Sequence, residues 1–484
     1  MDPEKNPGLN VKSRVIERLT QIVIDPGKVF IFAGILWGLA FLFITPPFQV
    51  PDEFDHFSRS FQLSEGRLLS EKHDNRLGGF LPQSLIETMS TYQKMPFNTK
   101  KKQKIENVFD LAAQPLDAEN RTFIDFPNTA LYSPVPYIPQ TLGILTGKIF
   151  DLSPIVLMYM GRIFNLIVWI VLVYFSIKIT PIFKWLFLLL AMTPMALFQA
   201  VSLSADCFTN AVSFLLISLF FRYSFDNNKL VKNIDICVLL TLTFLLSLSK
   251  SSYFPIILLY LMIPMKKIGS VKKYTVVLLL MLLLNALILT GWSFFAKQLY
   301  IPYSSYNAAH RVGQPLLEGV FPHEQFKFIL SNFPQYTLTI IRSFRVFSGF
   351  VLTSFIGTLG WLDTPLSRSY IMSGFFVLFF FSLTETSTEK KISLKNKFVL
   401  SVSFLTAIFT FSTLMYISWT PVGDALISNL QGRYFIPLSP IFFSLFCNRK
   451  FYVKREYLGI LGSCFLFFSL TYASLVLIRR YYLP

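Results

Sequence analysis

Apolar runs near the length of a bilayer crossing recur along the chain, separated by short polar loops, and a bilayer core takes about 20 helical residues. Ten such runs lie at Val29–Ile44, Ile155–Ile177, Ile182–Leu203, Cys207–Phe225, Ile234–Ser249, Tyr274–Ala296, Ser369–Leu383, Phe398–Ser418, Tyr434–Phe446 and Tyr457–Ile478. The shorter run Tyr253–Pro264 must also cross if the charged loops are to alternate, which gives eleven spans. A further apolar stretch, Tyr336–Leu359, carries Arg342 and Arg345. Counting it as a span would reverse the side of the Lys390–Lys397 cluster, so it is read as re-entrant or as lying along the surface.

Charge decides the orientation. Lys5, Lys12, Arg14, Arg18 and Lys28 precede the first span. Lys178 with Lys184, Arg222 with Lys229 and Lys232, Lys266-Lys267 with Lys272-Lys273, Lys390-Lys391 with Lys395 and Lys397, and Arg449-Lys450 with Lys454-Arg455 then fall on the same side. By the positive-inside rule that side, with the amino terminus, is cytoplasmic. Arg479-Arg480 on the opposite side is the exception. The expected organisation is a cytoplasmic segment (1–28), a first transmembrane helix (29–45), a large outward loop with juxtamembrane helices (46–153), helices two to seven (154–296), a second outward loop with the re-entrant or interfacial segment (297–368), and helices eight to eleven (369–484). Both outward loops contain prolines, aromatics and short helical patterns such as Leu81–Thr91, so they are expected to be ordered and packed on the bundle.

Composition agrees with this class. Of 484 residues 53% are hydrophobic and only 15% charged, too apolar for soluble domains. The formal net charge of +17 sits in short loops, where lipid headgroups and topology account for it, and no aromatic-basic platform points to nucleic acid. The four cysteines, Cys207, Cys237, Cys447 and Cys464, have no metal-binding spacing and are read as small buried residues. No cleavable leader is expected, because a polar segment of nearly 30 residues precedes the first apolar run. Phosphate loops, zinc-protease helices and nucleophile elbows are absent from the sequence, which argues against ATP hydrolysis, zinc proteolysis and serine hydrolase chemistry.

The candidate chemistry gathers on the outward side. Immediately after the first run, Pro51-Asp52-Glu53 opens a helix whose Phe54, Phe57 and Phe61 form an apolar stripe, with Asp52, Asp55, His56 and Arg59 on the other face. Such a helix would lie in the interface with its aromatics in lipid; proline and acids in a first turn are also ordinary helix-start chemistry. Asp206 stands in a very short outward turn, either as a helix cap or as a site residue. Lys250 is a cation on the side that otherwise avoids cations, either snorkelling or meeting a phosphate. Asp363 follows an interfacial Trp361, and Arg433 precedes the tenth span, where a guanidinium suits a phosphate. Acids beside cations at the membrane surface describe a site in which a carboxylate deprotonates an acceptor hydroxyl while lysine and arginine stabilise a departing phosphate.

The ordered motifs PPFQVPDEFDHFSRSFQLSEG, FPNTALYSPVPYIPQTLG, GRIFN, SLSADCFTNA, SKSSYFP, GTLGWLDTPL and NLQGRYFIPLSPI resemble a large bacterial domain-of-unknown-function family of predicted membrane proteins, allied to the GT-C glycosyltransferases, from about Phe32 to Pro440. The resemblance implies an all-α polytopic membrane protein, a GT-C-like bundle with a large first outward loop, in a bacterial plasma membrane. It implies a polyprenyl-phosphate sugar donor and a catalytic acid just after the first span, with Asp52 as base and Glu53 next. Arg433 and Lys250 would clamp phosphate, and His56, Arg59, Asp206 and Asp363 are counted with the binding residues. Some relatives use a divalent metal held by acids one residue apart; Glu53 and Asp55 have that spacing, a second pair is missing, and metal dependence stays open.

The expected function is an integral-membrane glycosyltransferase moving a sugar from a polyprenyl-phosphate carrier to an envelope glycan or lipid acceptor on the outer face. The rival readings are a transporter or flippase of lipid-linked glycans, for which Arg162, Asn165, Asn210 and Asn285 are the intramembrane polar candidates, and a non-catalytic subunit of a polysaccharide assembly machine. The absence of an internal repeat weakens the transporter reading.

Overall fold

The computed structural model describes residues 23–385, 392–448 and 450–484; the basic residues Lys5, Lys12, Arg14, Arg18, Lys390, Lys391 and Arg449 lie outside the described residues. Asp25 caps the first helix, α1 (Pro26–Ile44), by accepting the backbone N–H groups of Gly27 and Lys28. The first large loop then folds as α2 (Glu53–Ser64), an antiparallel sheet of β1 (Glu71–His73), β2 (Arg76–Pro82) and β3 (Arg121–Asp125), and α3 (Gln83–Ser90), α4 (Ile105–Ala112) and α5 (Ile138–Ile149). The sheet was not legible beforehand: β2 contributes Arg76–Pro82, so the helix expected at Leu81–Thr91 starts only at Gln83.

The bundle continues with α6 (Pro154–Ile179), α7 (Lys184–Ala191), α8 (Pro194–Ala200), α9 (Asp206–Phe225), α10 (Asn233–Ser249) and α11 (Val271–Leu299). After the second large loop, with α12 (Pro322–Ser331) and α13 (Phe333–Ile356), come α14 (Arg368–Thr384), α15 (Leu394–Trp419), α16 (Ser439–Ser444) and α17 (Arg455–Tyr481). Among the described residues seven helices, α1, α6, α9, α11, α13, α15 and α17, are long and apolar enough to cross a membrane. This is an all-α polytopic membrane protein.

Three of the expected spans are not single α-helices. The run Ile182–Leu203 is broken into α7 and α8 at Thr193-Pro194, where proline removes a backbone donor and the threonine hydroxyl caps the new helix. The short run after Lys250 is a 3₁₀ helix, Ser251–Met262, with Pro255 inside it. At about 2.0 Å rise per residue, 3₁₀ geometry carries twelve residues roughly 24 Å, against about 18 Å for an α-helix, so the tighter winding lengthens a segment otherwise too short to cross. The run from Tyr434 likewise joins a 3₁₀ segment, Gly432–Leu438, to α16.

Contacts sort the segment ends into two groups. At one end Lys267 Nζ donates to the Tyr223 and Asp226 carbonyls, Lys397 Nζ to the Cys447 carbonyl, and the Glu385 carboxylate accepts the Trp185 and Leu186 N–H groups. At the other end lie Asp52, Glu53, Asp206, Lys250 and Arg433. The eleven segments alternate between these ends. α13 does not join the alternation: its first turn meets Thr413 and Tyr416 late in α15, and its last turn meets Gly432 and Phe375 early in α14. It is one unbroken helix lying in the Asp52 half of the bundle, not a re-entrant hairpin. Its tight seat on the 432 segment explains Gly432, since a Cβ there would fall 1.9 Å from the Val351 carbonyl oxygen.

The innermost segments are α7, α8 and α9, whereas α11 turns most of its leucines outward, Leu279, Leu283 and Leu287 among them. Small polar residues let the inner helices approach, as where the Ser176 and Ser218 hydroxyls meet at 2.5 Å. Of the cysteines, Cys207 and Cys447 are buried as expected, but Cys237 and Cys464 are exposed on the outer surface of their helices.

Candidate active site at the Asp52 end of the bundle

Thr45-Pro46-Pro47 ends α1, and the chain reverses into α2 through two residues in left-handed backbone conformation, Phe48 (φ 62°) and Asp52 (φ 64°). Asp tolerates that region better than bulkier residues do, and strain of this kind collects at functional sites. The Asp52 carboxylate makes no helix-capping bond. It is instead about one-third exposed, 3.5 Å from the Arg433 guanidinium and 3.5 Å from Asn128 Nδ2. Arg433 in turn donates to Gln431 Oε1 at 2.7 Å and reaches the Tyr434 hydroxyl at 3.4 Å.

A second pair lies alongside. Lys250 Nζ stands 3.0 Å from Asp206 Oδ1 and 4.4 Å from the centre of the Tyr434 ring. The other Asp206 oxygen accepts from Gln199 Nε2, whose amide oxygen accepts from Asn210. Asp206 is thus the first residue of α9 but not its cap: its carboxylate is spent on side chains. Tyr434 connects the two pairs, because one cation packs on its ring and the other reaches its hydroxyl.

His56 feels the charges of Asp52, Asp206 and Arg433 from one position. Burial pushes its imidazole down to about 4, against the opposing pull of Asp52 and Asp206, so at neutral pH it is uncharged; its Nδ1 lies 2.9 Å from the Tyr137 hydroxyl. His56, counted among the binding residues, therefore stands near Asp52 and Arg433 as a neutral imidazole. Asp55 is raised well above the usual carboxylate range, first by burial and then by the Asp52 charge.

Three expected site residues point elsewhere. Glu53 is fully buried, pairing at 2.9 and 2.6 Å with Arg162 Nε and Nη2 and accepting the Leu203 N–H. Arg162 donates its remaining hydrogens to the carbonyls of Leu42, Thr45 and Pro46, the unsatisfied end of α1. Glu53, expected as a catalytic acid, therefore has its carboxylate spent on an anchor that sets the direction of the Asp52 turn. Arg59 is likewise buried, bound to Gln62 Oε1 and to the carbonyls of Leu68 and Tyr132. Asp363 pairs with Arg480 at 2.8 Å and accepts the Phe97 N–H, which also accounts for an arginine where the charge rule disfavours one. Nor does α2 put its aromatics in lipid: Phe57 and Phe61 are fully buried, and Phe48 stacks on Phe54 at 5.0 Å. The Glu53/Asp55 spacing does not become a ligand pair, since both Glu53 oxygens face Arg162; among the described residues no group of three or more His, Cys, Asp or Glu is placed to hold a metal ion.

A cavity of about 320 Å³ opens beside these groups. Asn128, Tyr132 and Lys250 form its polar corner, and Leu289, Trp292 and Trp419 part of its apolar wall. Asn128 and Tyr132 come from the FPNTALYSP motif, in which Asn128, between Pro127 and Thr129, carries no charge to single it out.

The family of predicted membrane proteins called DUF2142 matches residues 35–442. The chain belongs to this family. The matched region takes in every residue of the two ion pairs and stops short of α17, which carries Arg480. No curated protein and no solved structure matches the chain.

Proposed function

We propose that the protein is an integral-membrane glycosyltransferase that takes a sugar from a polyprenyl-phosphate carrier and passes it to an envelope glycan or lipid acceptor on the outer face of a bacterial plasma membrane. The observation that carries this reading is a partly exposed carboxylate, Asp52, 3.5 Å from the Arg433 guanidinium and 3.5 Å from Asn128, which lines the cavity together with Lys250. Asp52 would accept the proton of the acceptor hydroxyl as its oxygen bonds to the anomeric carbon. The carbon–oxygen bond to the carrier breaks, and the electron pair leaves on phosphate, where Arg433 and Lys250 stabilise it. Leu289, Trp292 and the lipid-facing side of α11 suit the carrier's hydrocarbon.

Comparing envelope glycans from cells with and without the protein tests the reading: loss of one sugar supports it, and an unchanged glycan profile overturns it. Arg433→Ala should raise the donor concentration needed for half-maximal transfer by about 10- to 100-fold, the worth of one or two charge-assisted hydrogen bonds of roughly 1.5–3 kcal/mol. An unchanged donor dependence removes Arg433 from the phosphate site. The sidedness is checked by cysteine labelling: in a background without native cysteines, Lys100→Cys should react with an impermeant reagent added outside and Lys266→Cys should not. The reverse pattern inverts the topology.

A further inference from the structure

A second concavity, about 430 Å³, lies between the β1–β2 hairpin and the segment after α11, lined by Lys72, His73, Asp74, Asn75, Tyr300 and Ser305 among others. It shares Tyr300 and Ile301 with the cavity that reaches Lys250 and Asn128, so one wall runs from Asn128, which is 3.5 Å from Asp52, to the hairpin tip. The two sides are fastened together: the Asn307 backbone N–H and side-chain amide donate to the Asn75 and Asp74 carbonyls, Lys72 Nζ donates to the Tyr300 carbonyl, and the Tyr306 hydroxyl accepts the Leu77 N–H while donating to Asp125.

These bonds use backbone groups at the tip and leave the side chains of His73, Asp74 and Asn75 exposed. The cleft differs from the cavity it joins. The inner chamber is lined mostly by apolar side chains, whereas the outer one presents a carboxylate, an amide, an imidazole, an ammonium and a hydroxyl beside a tyrosine. A carboxylate accepts from hydroxyls, an amide both accepts and donates, and a tyrosine adds an amphipathic surface; together they match a polyhydroxylated chain. Asp74 and Asn75 have φ of 48° and 56°, the left-handed backbone of a tight hairpin turn that places both residues at the rim, where the Asp74 carboxylate lies 3.2 Å from His73 Nε2.

We propose that this cleft is the acceptor subsite, binding the saccharide portion of the acceptor through Asp74, Asn75 and His73 with Tyr300 at its floor, and directing its terminal hydroxyl along the shared wall toward Asp52. The assignment rests on the transferase reading above and adds to it where the acceptor binds. It also separates the two substrates: hydrocarbon in the inner chamber, sugar hydroxyls in the outer cleft.

The test is binding of a panel of water-soluble oligosaccharides of different linkages to the full-length protein in nanodiscs, followed by saturation-transfer NMR. Asp74→Gly and Asn75→Gly delete the side chains where a positive φ suits glycine, so the hairpin and its backbone bonds should survive. At least one oligosaccharide is expected to bind, with affinity lowered at least 10-fold in the double variant and unchanged in Asp52→Asn. Binding by none of the panel, or equal binding by the double variant, overturns the assignment. Cleft-dependent binding together with envelope glycans unaltered in cells lacking the protein would instead retain the saccharide site and discard the transferase reading.

Discussion

On the proposed transferase reading, Asp52→Asn is expected to lower sugar transfer by about 10²- to 10⁴-fold, the usual contribution of a positioned general base, while expression, membrane insertion and thermal stability should stay at wild-type levels. The substitution is close to isosteric, and asparagine populates the left-handed region as readily as aspartate, so the turn at φ 64° is preserved. The carboxylate makes no capping bond whose loss would loosen α2. What disappears is the proton acceptor and the negative partner of Arg433, 3.5 Å away. Transfer assays with membranes carrying each form, normalised to protein amount, provide the measurement; retained transfer rejects Asp52 as the base.

The second large effect falls on stability. Glu53→Gln leaves the Arg162 guanidinium fully buried without its counter-charge, and breaking a buried pair from one side typically costs about 3–5 kcal/mol. Arg162 also gathers the last carbonyls of α1, so loosening it releases the junction of α1, α2 and α6. The expected result is a sharp fall in folded yield and in melting temperature in detergent, with transfer lost in proportion to folded protein. Replacing both partners, Glu53→Gln with Arg162→Met, removes the unpaired charge and should recover part of the yield. If Glu53→Gln folds normally yet transfers no sugar, Glu53 belongs to the chemistry and the anchor assignment fails. The contrast between neighbours makes the experiment sharp: position 52 should affect rate without stability, position 53 stability first.

From the chain alone, the apolar runs were enough for an all-α polytopic membrane protein, because membrane insertion is governed by local hydropathy, which is additive along the sequence. They also placed Asp52, Asp206, Lys250 and Arg433 at one end, since residues flanking spans inherit the side of their loop. What they could not convey was partnership. Whether Asp52 or Glu53 stays exposed depends on a one-residue difference in direction, set by a left-handed turn and by an arginine 109 positions later in the chain. Asp363 and Arg480 lie 117 positions apart, and their pairing follows from how α17 packs against the second large loop, which no local pattern encodes. Likewise the course of α13 follows from the segments it packs on, at Thr413 and Tyr416 and at Gly432 and Phe375, whereas the break at Thr193-Pro194 has a local cause that run length alone passes over. Local burial propensity is written in the order of residues; which buried charge finds which counter-charge is a property of the packed bundle, and that selection leaves Glu53 dry and Asp52 about one-third exposed.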